Sequence, residues 1–314
     1  MDLIADIGAT NTRCALLDDK GHELAPEAFD NADFTGVAGV LRIYLEHRRA
    51  SDRPTRAALA VAAPILGDEV QMVNIGWRFS QSELRRELSL KRLQVCNDFA
   101  AVAWALPSFS PADLVQIGGG ESAPRATLAT LGPGSGLGVA ALVPTSDGWA
   151  VMSGEGGHVT MAANTREEQD VIASLRERFD GHCSAERVLS GPGLVNLYVA
   201  LAERAGRGQP TVTPEDVTNL AKQGEPLARK AIAMFFAMLG TVAGDLAVMT
   251  GARGGVYIAG GIVPKLVDPL RKSEFRARFE AKGRYRAYLA AIPTQVITAP
   301  LPAFRGLRHL LGYR

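Results

Sequence analysis

Short apolar runs separated by polar turns fill the first hundred residues of this chain. Residues 3–7 and 13–18 predict two strands joined by the turn at 8–12, and a turn at 18–21 leads into a third strand. Apolar positions at helical spacing predict an amphipathic helix over residues 34–48. Continued along the chain, the pattern predicts the order β-β-β-α-β-α-β-α, which is typical of an α/β domain.

A polar pair, Asn97 and Asp98, interrupts the most apolar part of this first domain. Residues 93–96 before it predict a short buried strand, and residues 99–106 after it predict a buried helix. Open α/β sheets bind ligands where such a strand ends. Asparagine and aspartate are also common helix N-caps, and on this segment alone the cap is favoured. The rest of the chain therefore decides whether the pair carries chemistry.

A glycine-rich turn at residues 132–138 lies between two apolar strands, at 126–131 and 139–143. This arrangement repeats in outline that of residues 3–17, which indicates an internal duplication of a strand–turn–strand unit. Converging N–H groups in such turns can hold a phosphate, although an ordinary hairpin explains the first turn equally well. Gly8 permits a tight turn with a positive φ at that place. Neither turn is a P-loop, because no Gly-Lys-Ser/Thr sequence occurs in the chain.

Residues 153–159 form a glycine-rich loop that carries Glu155 and His158. Two adjacent glycines disfavour a helix here, so the pair is not a helical zinc-binding pair. A carboxylate and an imidazole on one loop suit hydrogen bonds to a polyhydroxylated ligand, whereas His158 taken alone is as well explained by a structural role. Glu186 lies at another polar junction, directly before a helix predicted at residues 191–205.

The last third of the chain is predicted to be mainly helical. Helices are expected at residues 214–223, 225–250 and 303–311, with a strand at 295–298. A Gly-Gly turn at 260–261 follows an apolar strand, and it lets a flat ligand such as adenine approach the backbone closely.

Composition narrows the function classes. The formal net charge is +1, which gives no electrostatic basis for binding nucleic acid or an anionic membrane. The arginine-rich segment 276–286 is interpreted as a solvated helix face, because glutamates interleave with its arginines.

The three cysteines are widely separated and form no Cys-x-x-Cys pair, which fits a reducing cytoplasm. The N-terminus lacks a signal-peptide pattern, and the longest compact apolar run, 231–244, is shorter than the ~20 residues of a spanning helix. We therefore expect a soluble cytoplasmic protein, and 314 residues suit two domains.

With these pieces in order, the sequence resembles the bacterial glucokinase family of the hexokinase–actin-like ATPase superfamily. The residues that carry the resemblance are 6–11, 97–99, 131–138, 154–158, 184–193 and 258–262. They occur in the order of the family's motifs and span nearly the whole chain, so the ordered set is specific although each motif alone is weak.

The resemblance implies an α/β protein of two actin-like (ribonuclease H-like) domains, with mixed sheets flanked by helices and a ligand cleft between them. It implies a small domain of residues 1–108 plus 299–314 and a large domain of residues 109–298. It also implies ATP and Mg²⁺ as cofactors, glucose as substrate and a homodimer as the assembly.

The resemblance assigns roles to individual residues. The expected nucleotide-binding residues are Asp6, Ile7, Gly8, Ala9, Thr10, Asn11, Gly132, Gly134, Ser135, Gly136, Gly260 and Gly261. The expected sugar-binding residues are Asn97, Asp98, Glu155, His158 and Glu186. Asp98 is the expected general base, and Asp6 is expected to contact Mg²⁺ indirectly, through water.

The chemistry of these residue types agrees with such roles. Phosphoryl transfer needs alignment, charge neutralisation and an acceptor for the hydroxyl proton, and an aspartate can be that acceptor. Asn97 can donate and accept at once, as a sugar hydroxyl requires. The expected reaction is the ATP-dependent phosphorylation of D-glucose at its 6-hydroxyl, giving glucose 6-phosphate and ADP, with domain closure on sugar binding.

Three positions depart from the family's pattern. Ala9 stands where the first turn commonly has a second glycine, and Ser135 stands where the second turn usually has threonine. Residues 300–307 replace a Gly-Leu-Leu-Gly-type segment before the last helix.

Two alternative functions remain open at this point. One is a related sugar kinase that acts on fructose or an amino sugar, although the Cys-rich zinc motif of that family is absent after His158. The other is a non-catalytic sugar sensor on the same fold, although no DNA-binding helix-turn-helix fits before Asp6 and Asp98 is retained.

Overall fold

In the computed structural model, which describes residues 1–313, the chain forms two compact units. The first unit contains residues 1–110, residues 149–154 and the C-terminal residues from Ala299; the second contains residues 111–148 and 155–298. The first division thus falls two residues after the boundary that we expected from the sequence. Residues 149–154, which we expected in the large domain, group with the first unit.

Helices and strands alternate along most of the chain, as an α/β fold requires. In chain order the elements are β1 (Asp2–Ile7), β2 (Asn11–Leu17), β3 (Glu23–Asp30), α1 (Val37–Glu46), β4 (Arg56–Val61), β5 (Glu69–Met72), β6 (Trp77–Ser80), α2 (Gln81–Glu87), β7 (Arg92–Asn97), α3 (Asp98–Ala105), β8 (Leu114–Gly118), β9 (Leu128–Pro133), β10 (Leu137–Thr145), β11 (Gly148–Gly154), α4 (Arg166–Arg178), α5 (Gly191–Arg204), α6 (Pro214–Gln223), α7 (Pro226–Thr250), β12 (Gly255–Ile258), α8 (Val267–Arg271), α9 (Phe275–Glu280), α10 (Arg286–Ala291), β13 (Thr294–Ile297) and α11 (Pro302–Leu310).

The first unit is built on a mixed five-stranded sheet in the order β3-β2-β1-β4-β7. Strands β1 and β2 form an antiparallel hairpin, while β4 and β7 run parallel to β1. The register places Asp6 beside Ala60 and Ala60 beside Cys96, so the carboxyl ends of β1, β4 and β7 are level. Because parallel strands end at the same edge, this sheet brings Asp6 and Asn97 to one side of the unit.

The C-terminal helix α11 packs on α3 in the first unit. Gly306 allows this close approach, because a Cβ at that position would lie 1.8 Å from the carbonyl oxygen of Ala101. The ring of His309 stacks on Trp104 with centroids 5.1 Å apart. The atypical segment before α11 is therefore compatible with a well-packed last helix. This helix packs on α3, the helix that begins at Asp98.

The second unit repeats the strand arrangement of the first. Strands β9 and β10 form an antiparallel hairpin, and β12 and β13 run parallel to β9. The order β10-β9-β12-β13 therefore matches β2-β1-β4-β7, and β8 is added antiparallel to β13. The duplication inferred from the two turns is confirmed by this topology.

The core of the second unit is centred on helix α7. Its 25 residues are long and apolar enough to cross a membrane by length and composition, but 72% of its most apolar window is buried inside the protein. Phe235 and Phe236 on this helix are almost fully buried, as are Phe275 and Phe279 of the neighbouring α9. The apolar character of α7 is thus explained by core packing.

Several elements were not expected from the sequence. The β5–β6 hairpin, strands β8 and β11 and helix α4 were all missed, and residues 156–158 form a short 3₁₀ turn where a loop was predicted. The hairpin strands have only four residues each, which is too short for a clear alternation to stand out.

The interpretation of residues 276–286 as a solvated face was wrong for two of its arginines. Arg278 forms a two-point ion pair with the buried carboxylate of Glu168, at 2.8 and 2.9 Å. The guanidinium of Arg276 donates to the backbone carbonyls of Leu289, Ala290 and Ile292. Because Arg can satisfy several acceptors at once, these residues hold the helices together from inside, whereas Arg284 and Arg286 are exposed as expected.

Candidate active site

The Asn97–Asp98 junction in the first unit is both a helix cap and a polar opening at the sheet edge. The side-chain oxygen of Asn97 accepts from the backbone N–H groups of Phe99 and Ala100, at 2.9 and 3.1 Å. Asp98 begins α3, and one of its carboxylate oxygens accepts from the N–H of Phe99 at 2.8 Å. Both side chains are only partly buried. The cap occupies the amide oxygen of Asn97, so the NH₂ group is the part of this side chain best able to serve a ligand.

Asp6 lies on the same sheet edge as this junction. Burial raises the pKa of Asp6 to about 6, although the charge of Arg13 opposes this shift. The thiol of Cys96 on β7 also has a raised pKa, of about 12, because it is buried and because the carboxylates of Asp98 and Asp6 are nearby. Both pKa values are raised mainly by desolvation, so an uncompensated negative charge is disfavoured at this edge of the sheet.

The first of the two glycine-containing turns connects β1 to β2. The N–H of Gly8 donates to the carbonyl of Asn11 at 3.0 Å, which closes the turn. Gly8 does not use the positive φ that glycine permits. A Cβ there would lie 3.3 Å from the carbonyl oxygen of Asn11, a tight contact that accounts for the small residue. Ala9, Thr10 and Asn11 complete the turn after Ile7, the last residue of β1.

Asn31 is a buried residue of this turn that sequence reasoning missed. Its side chain lies between the backbone of Gly8 and the hydroxyl of Thr12. Its only signal in the sequence is a polar residue at the end of β3, which in isolation is what any strand end looks like.

The second turn, in the second unit, is held by different contacts. The N–H of Gly134 donates to the carbonyl of Gly136 at 2.8 Å, and the N–H of Gly191 at the start of α5 donates to the carbonyl of Gly134 at 2.8 Å. Glu186 accepts from the N–H of Leu137 through Oε2 at 2.8 Å. A Cβ at Gly136 would lie 2.5 Å from that same oxygen. Glu186 can therefore approach only because residue 136 has no side chain.

Two further glycines bring the remaining predicted residues to this turn. Gly157 lies against the carbonyl oxygen of Leu137, where a Cβ would be 2.1 Å away. Gly260 has a φ of +88° and lies against the carbonyl oxygen of Pro133, where a Cβ would be 2.3 Å away. The loop with Glu155 and His158 thus packs at one side of the turn and the Gly260–Gly261 turn at the other.

Short backbone bonds also tie the loop to Glu186. Thr160 pairs with Ser184, and the N–H of Ala185 donates to the carbonyl of Val159 at 2.8 Å. Glu155 and His158 are exposed, while Glu186 is partly buried. Their carboxylates and imidazole provide the acceptors and donors that a ring of hydroxyl groups requires.

The predicted residues therefore form two sets, one in each unit. The first unit brings together Asp6, Ile7, Gly8, Ala9, Thr10, Asn11, Asn97 and Asp98. The second brings together Gly132, Gly134, Ser135, Gly136, Glu155, His158, Glu186, Gly260 and Gly261. Within residues 1–313 no group of three or more His, Cys, Asp or Glu side chains could hold a metal ion.

Comparison with known proteins gives a consistent result. The family model described as Glucokinase matches residues 3–313. The chain is 48% identical over 313 residues to a glucokinase from Paramagnetospirillum magneticum, covering 99% of this chain and 97% of that protein.

Solved structures agree with the family match. A glucokinase crystal structure from an Antarctic psychrotroph superposes with a TM-score of 0.85 at 37% identity, covering 100% of this chain and 99% of the other. A ROK family glucokinase from Streptomyces griseus, solved with glucose and AMPPNP, superposes with a TM-score of 0.68 at 18% identity, covering 98% of each chain. The second likeness shows the actin-like sugar-kinase fold. The relatives and the fold together make this chain an ATP-dependent hexose kinase that phosphorylates glucose, and it belongs to the glucokinase family.

Proposed function

We propose that the chain transfers a phosphoryl group from ATP to the 6-hydroxyl of D-glucose, with Asp98 as the general base. The observation that carries this assignment is the position of the Asn97–Asp98 junction, level with Asp6 and the first turn at the carboxyl ends of parallel strands. A carboxylate at such an edge can accept the hydroxyl proton, while the adjoining turn can hold phosphate oxygens.

The capping bonds support the role of Asp98 as base. The Phe99 N–H holds one carboxylate oxygen at 2.8 Å, so the side chain has a defined orientation at the first turn of α3. A hydrogen-bonded carboxylate is stabilised in its ionised form, which is the form that accepts a proton. Asn97 is rigid for the same reason, and its NH₂ group would donate to a hydroxyl of the sugar.

The sugar set of the second unit would supply the remaining contacts. Glu155, His158 and Glu186 surround the start of β10, and each can hydrogen-bond a hydroxyl group. We propose that the two sets act on one substrate once the units close on the sugar, because induced fit delays assembly of the site until glucose is bound.

Mg²⁺ would accompany the nucleotide, and Asp6 fits it. The carboxylate of Asp6 is desolvated, and a nearby cation would favour its charged form. A single carboxylate also suits Mg²⁺, which keeps several waters and takes further oxygens from substrate phosphates. When bound, the ion would neutralise charge on the phosphate oxygens, and Asp6 would hold it through water.

The test of the base is the Asp98→Asn variant. This substitution keeps the size of the side chain but removes its capacity to take a proton, so we expect kcat to fall by about 10³-fold. Glucose binding, measured by calorimetry without nucleotide, is expected to change by less than about fivefold, since the amide still hydrogen-bonds. Turnover near the wild-type rate in a coupled ADP-release assay would remove Asp98 from the role of base.

Sugar preference is measured with the same assay on glucose, fructose, mannose, glucosamine and N-acetylmannosamine. We expect the highest kcat/KM for glucose. A preference for an amino sugar would transfer the proposal to a different substrate, and binding without turnover for every sugar would contradict catalysis.

The assembly and location remain proposals as well. We propose a homodimer in the cytoplasm that binds neither nucleic acid nor a membrane, based on the family resemblance, the net charge of +1 and three unpaired cysteines. Sedimentation velocity of the purified protein measures the first point, and a monomer at micromolar concentration would contradict it.

A further inference from the structure

Asn31, the residue directly after β3, makes three hydrogen bonds to the first turn. Its Nδ2 donates to the carbonyl of Gly8 at 2.8 Å, and its Oδ1 accepts from the hydroxyl of Thr12 at 2.7 Å. Its backbone N–H donates to the carbonyl of Thr10 at 2.9 Å. Asn31 thus bonds every second residue of the turn, namely Gly8, Thr10 and Thr12.

The hydrogen bonds between Asn31 and the turn lie in a buried part of the protein. Asn31 is 5% exposed and Thr12 is fully buried. Buried amides and hydroxyls must find partners, and here each partner is part of the turn. Replacement of either side chain by an apolar one would leave a polar group of the turn without its bond.

The hydrogen bonds from Asn31 engage carbonyl groups of the turn rather than its N–H groups. Asn31 engages the carbonyls of Gly8 and Thr10, which carry the partial negative charge that would repel a phosphate. Among residues 1–313, nothing accepts a hydrogen bond from the backbone N–H groups of Ala9 and Thr10. A turn in which the carbonyls of Gly8 and Thr10 are engaged and the N–H groups of Ala9 and Thr10 are unpaired is suited to an anion.

We propose that Asn31 is a positioning residue for nucleotide phosphate, acting through the Gly8–Thr12 turn. The inference rests on the proposed role of that turn in binding ATP. Asn31 does not contact phosphate in this assignment; it fixes the conformation in which the N–H groups of Ala9 and Thr10 meet the phosphate oxygens. Loss of the side chain would therefore weaken binding of phosphate-bearing ligands, with no effect on binding of the nucleoside portion or of the sugar.

The experiment compares three ligands on wild type and the Asn31→Ala variant, using calorimetry with the full chain. The ligands are AMPPNP with Mg²⁺, adenosine and glucose. Because two side-chain bonds that hold the turn are lost, we expect the Kd for AMPPNP to rise about tenfold or more. The Kd values for adenosine and for glucose are expected to stay within about twofold of wild type.

A second variant keeps the test decisive if Asn31→Ala does not fold. Thr12→Val is nearly isosteric and removes only the hydroxyl that bonds Oδ1 of Asn31. We expect a rise of about threefold in the Kd for AMPPNP alone, since one bond is lost and its partner keeps its other contacts. In the double variant Asn31→Ala/Thr12→Val the effects should be less than additive, because both changes break the same bond.

Ser80→Ala is the matched control for general destabilisation of the first unit. Ser80 is also buried, and it caps α2 and bonds Asp68 rather than the turn. It should lower the midpoint of thermal unfolding without changing the Kd of any of the three ligands.

Equal weakening of all three ligands, or an unchanged Kd for AMPPNP, in the Asn31→Ala and Thr12→Val variants would show that Asn31 only stabilises the fold. Failure of the proposed function gives a different result, because wild type itself would then neither bind AMPPNP nor phosphorylate glucose.

Discussion

The two glycine-containing turns of this protein have the same place in their sheets but are held in different ways. Each turn joins the two strands of an antiparallel hairpin. Beside the first strand of each hairpin, the sheet continues with two strands that run parallel to it. The first turn is braced by a buried residue, Asn31, whose side chain bonds Gly8 and Thr12 and whose backbone N–H bonds Thr10. The second is braced by close backbone contacts at Gly157 and Gly260 and by Glu186.

Under the proposed residue roles, the two turns serve separate purposes. Asn31 is not among the expected sugar-binding residues, so we expect it to affect the nucleotide alone. Glu186 is one of the proposed sugar-binding residues, and it also accepts a hydrogen bond from the N–H of Leu137 in the second turn. We therefore expect substitutions around the first turn to affect one substrate and substitutions around the second turn to affect both.

The largest expected effect comes from adding a methyl group at the contacts that hold the second turn. In Gly260→Ala, the new Cβ would lie 2.3 Å from the carbonyl oxygen of Pro133, on a residue with φ of +88°. The backbone carbonyl of Pro133 cannot move away without a large free-energy cost. We therefore expect the free energy of unfolding to fall by more than about 3 kcal/mol. Urea denaturation followed by circular dichroism measures this.

Gly8→Ala is the matched change in the first turn. Its Cβ would lie 3.3 Å from the carbonyl oxygen of Asn11, and Gly8 does not have a positive φ. We expect a loss of less than about 1 kcal/mol. Equal losses for the two variants would mean that backbone packing does not distinguish the turns.

The next effect concerns pH and the carboxylate before the first turn. Burial raises the pKa of Asp6 from 3.8 to about 6, so the native state holds this proton more tightly than the unfolded chain does. Stability from this group is therefore greatest below about pH 4 and declines as pH rises through 6, by up to about 3 kcal/mol. The second turn follows the uncharged residues Leu131 and Gly132, so it has no carboxylate at the matching place in its first strand.

The Asp6→Asn variant isolates this contribution. Measured in a chelator without nucleotide, its free energy of unfolding should equal that of wild type near pH 4 and exceed it above pH 6. A constant difference across that range would show that Asp6 is not the group responsible, since every other titrating group is shared.

Much of this site could be predicted because local sequence dictates it. The Asn97–Asp98 junction follows from an apolar strand, two capping residues and an apolar helix, and all of these lie within fifteen residues. The two turns could be found as well, because glycines between apolar strands mark them and the duplication repeats them.

The remaining features depend on contacts that are distant in sequence. Asn31 is 23 residues from Gly8, and Arg278 is 110 residues from Glu168. A polar residue at a strand end and an arginine among charged neighbours both look solvated until the fold brings their partners close. The reason for a glycine at position 8 is also not visible in the sequence, because a glycine can be favoured by a neighbouring atom as well as by its own backbone angle.

The smallest effect concerns Glu186 and would separate its two roles. In Glu186→Gln, the amide oxygen can still accept from the N–H of Leu137, so the turn should keep its shape while the sugar loses a charged acceptor. We expect the KM for glucose to rise about tenfold and the KM for ATP to stay within about twofold, since a bond to a charged group is worth roughly 1.5–3 kcal/mol.

Glu186→Ala removes both contacts and leaves the N–H of Leu137 without its acceptor. The KM for ATP should then rise about tenfold as well, because an unpaired buried donor costs roughly 1–3 kcal/mol and the turn relaxes to satisfy it. The Asn31→Ala variant is expected to raise the KM for ATP alone, so the three variants give three different patterns. An unchanged KM for ATP in Glu186→Ala would show that the second turn does not depend on Glu186. Both turns would then be held without a residue of the proposed sugar site.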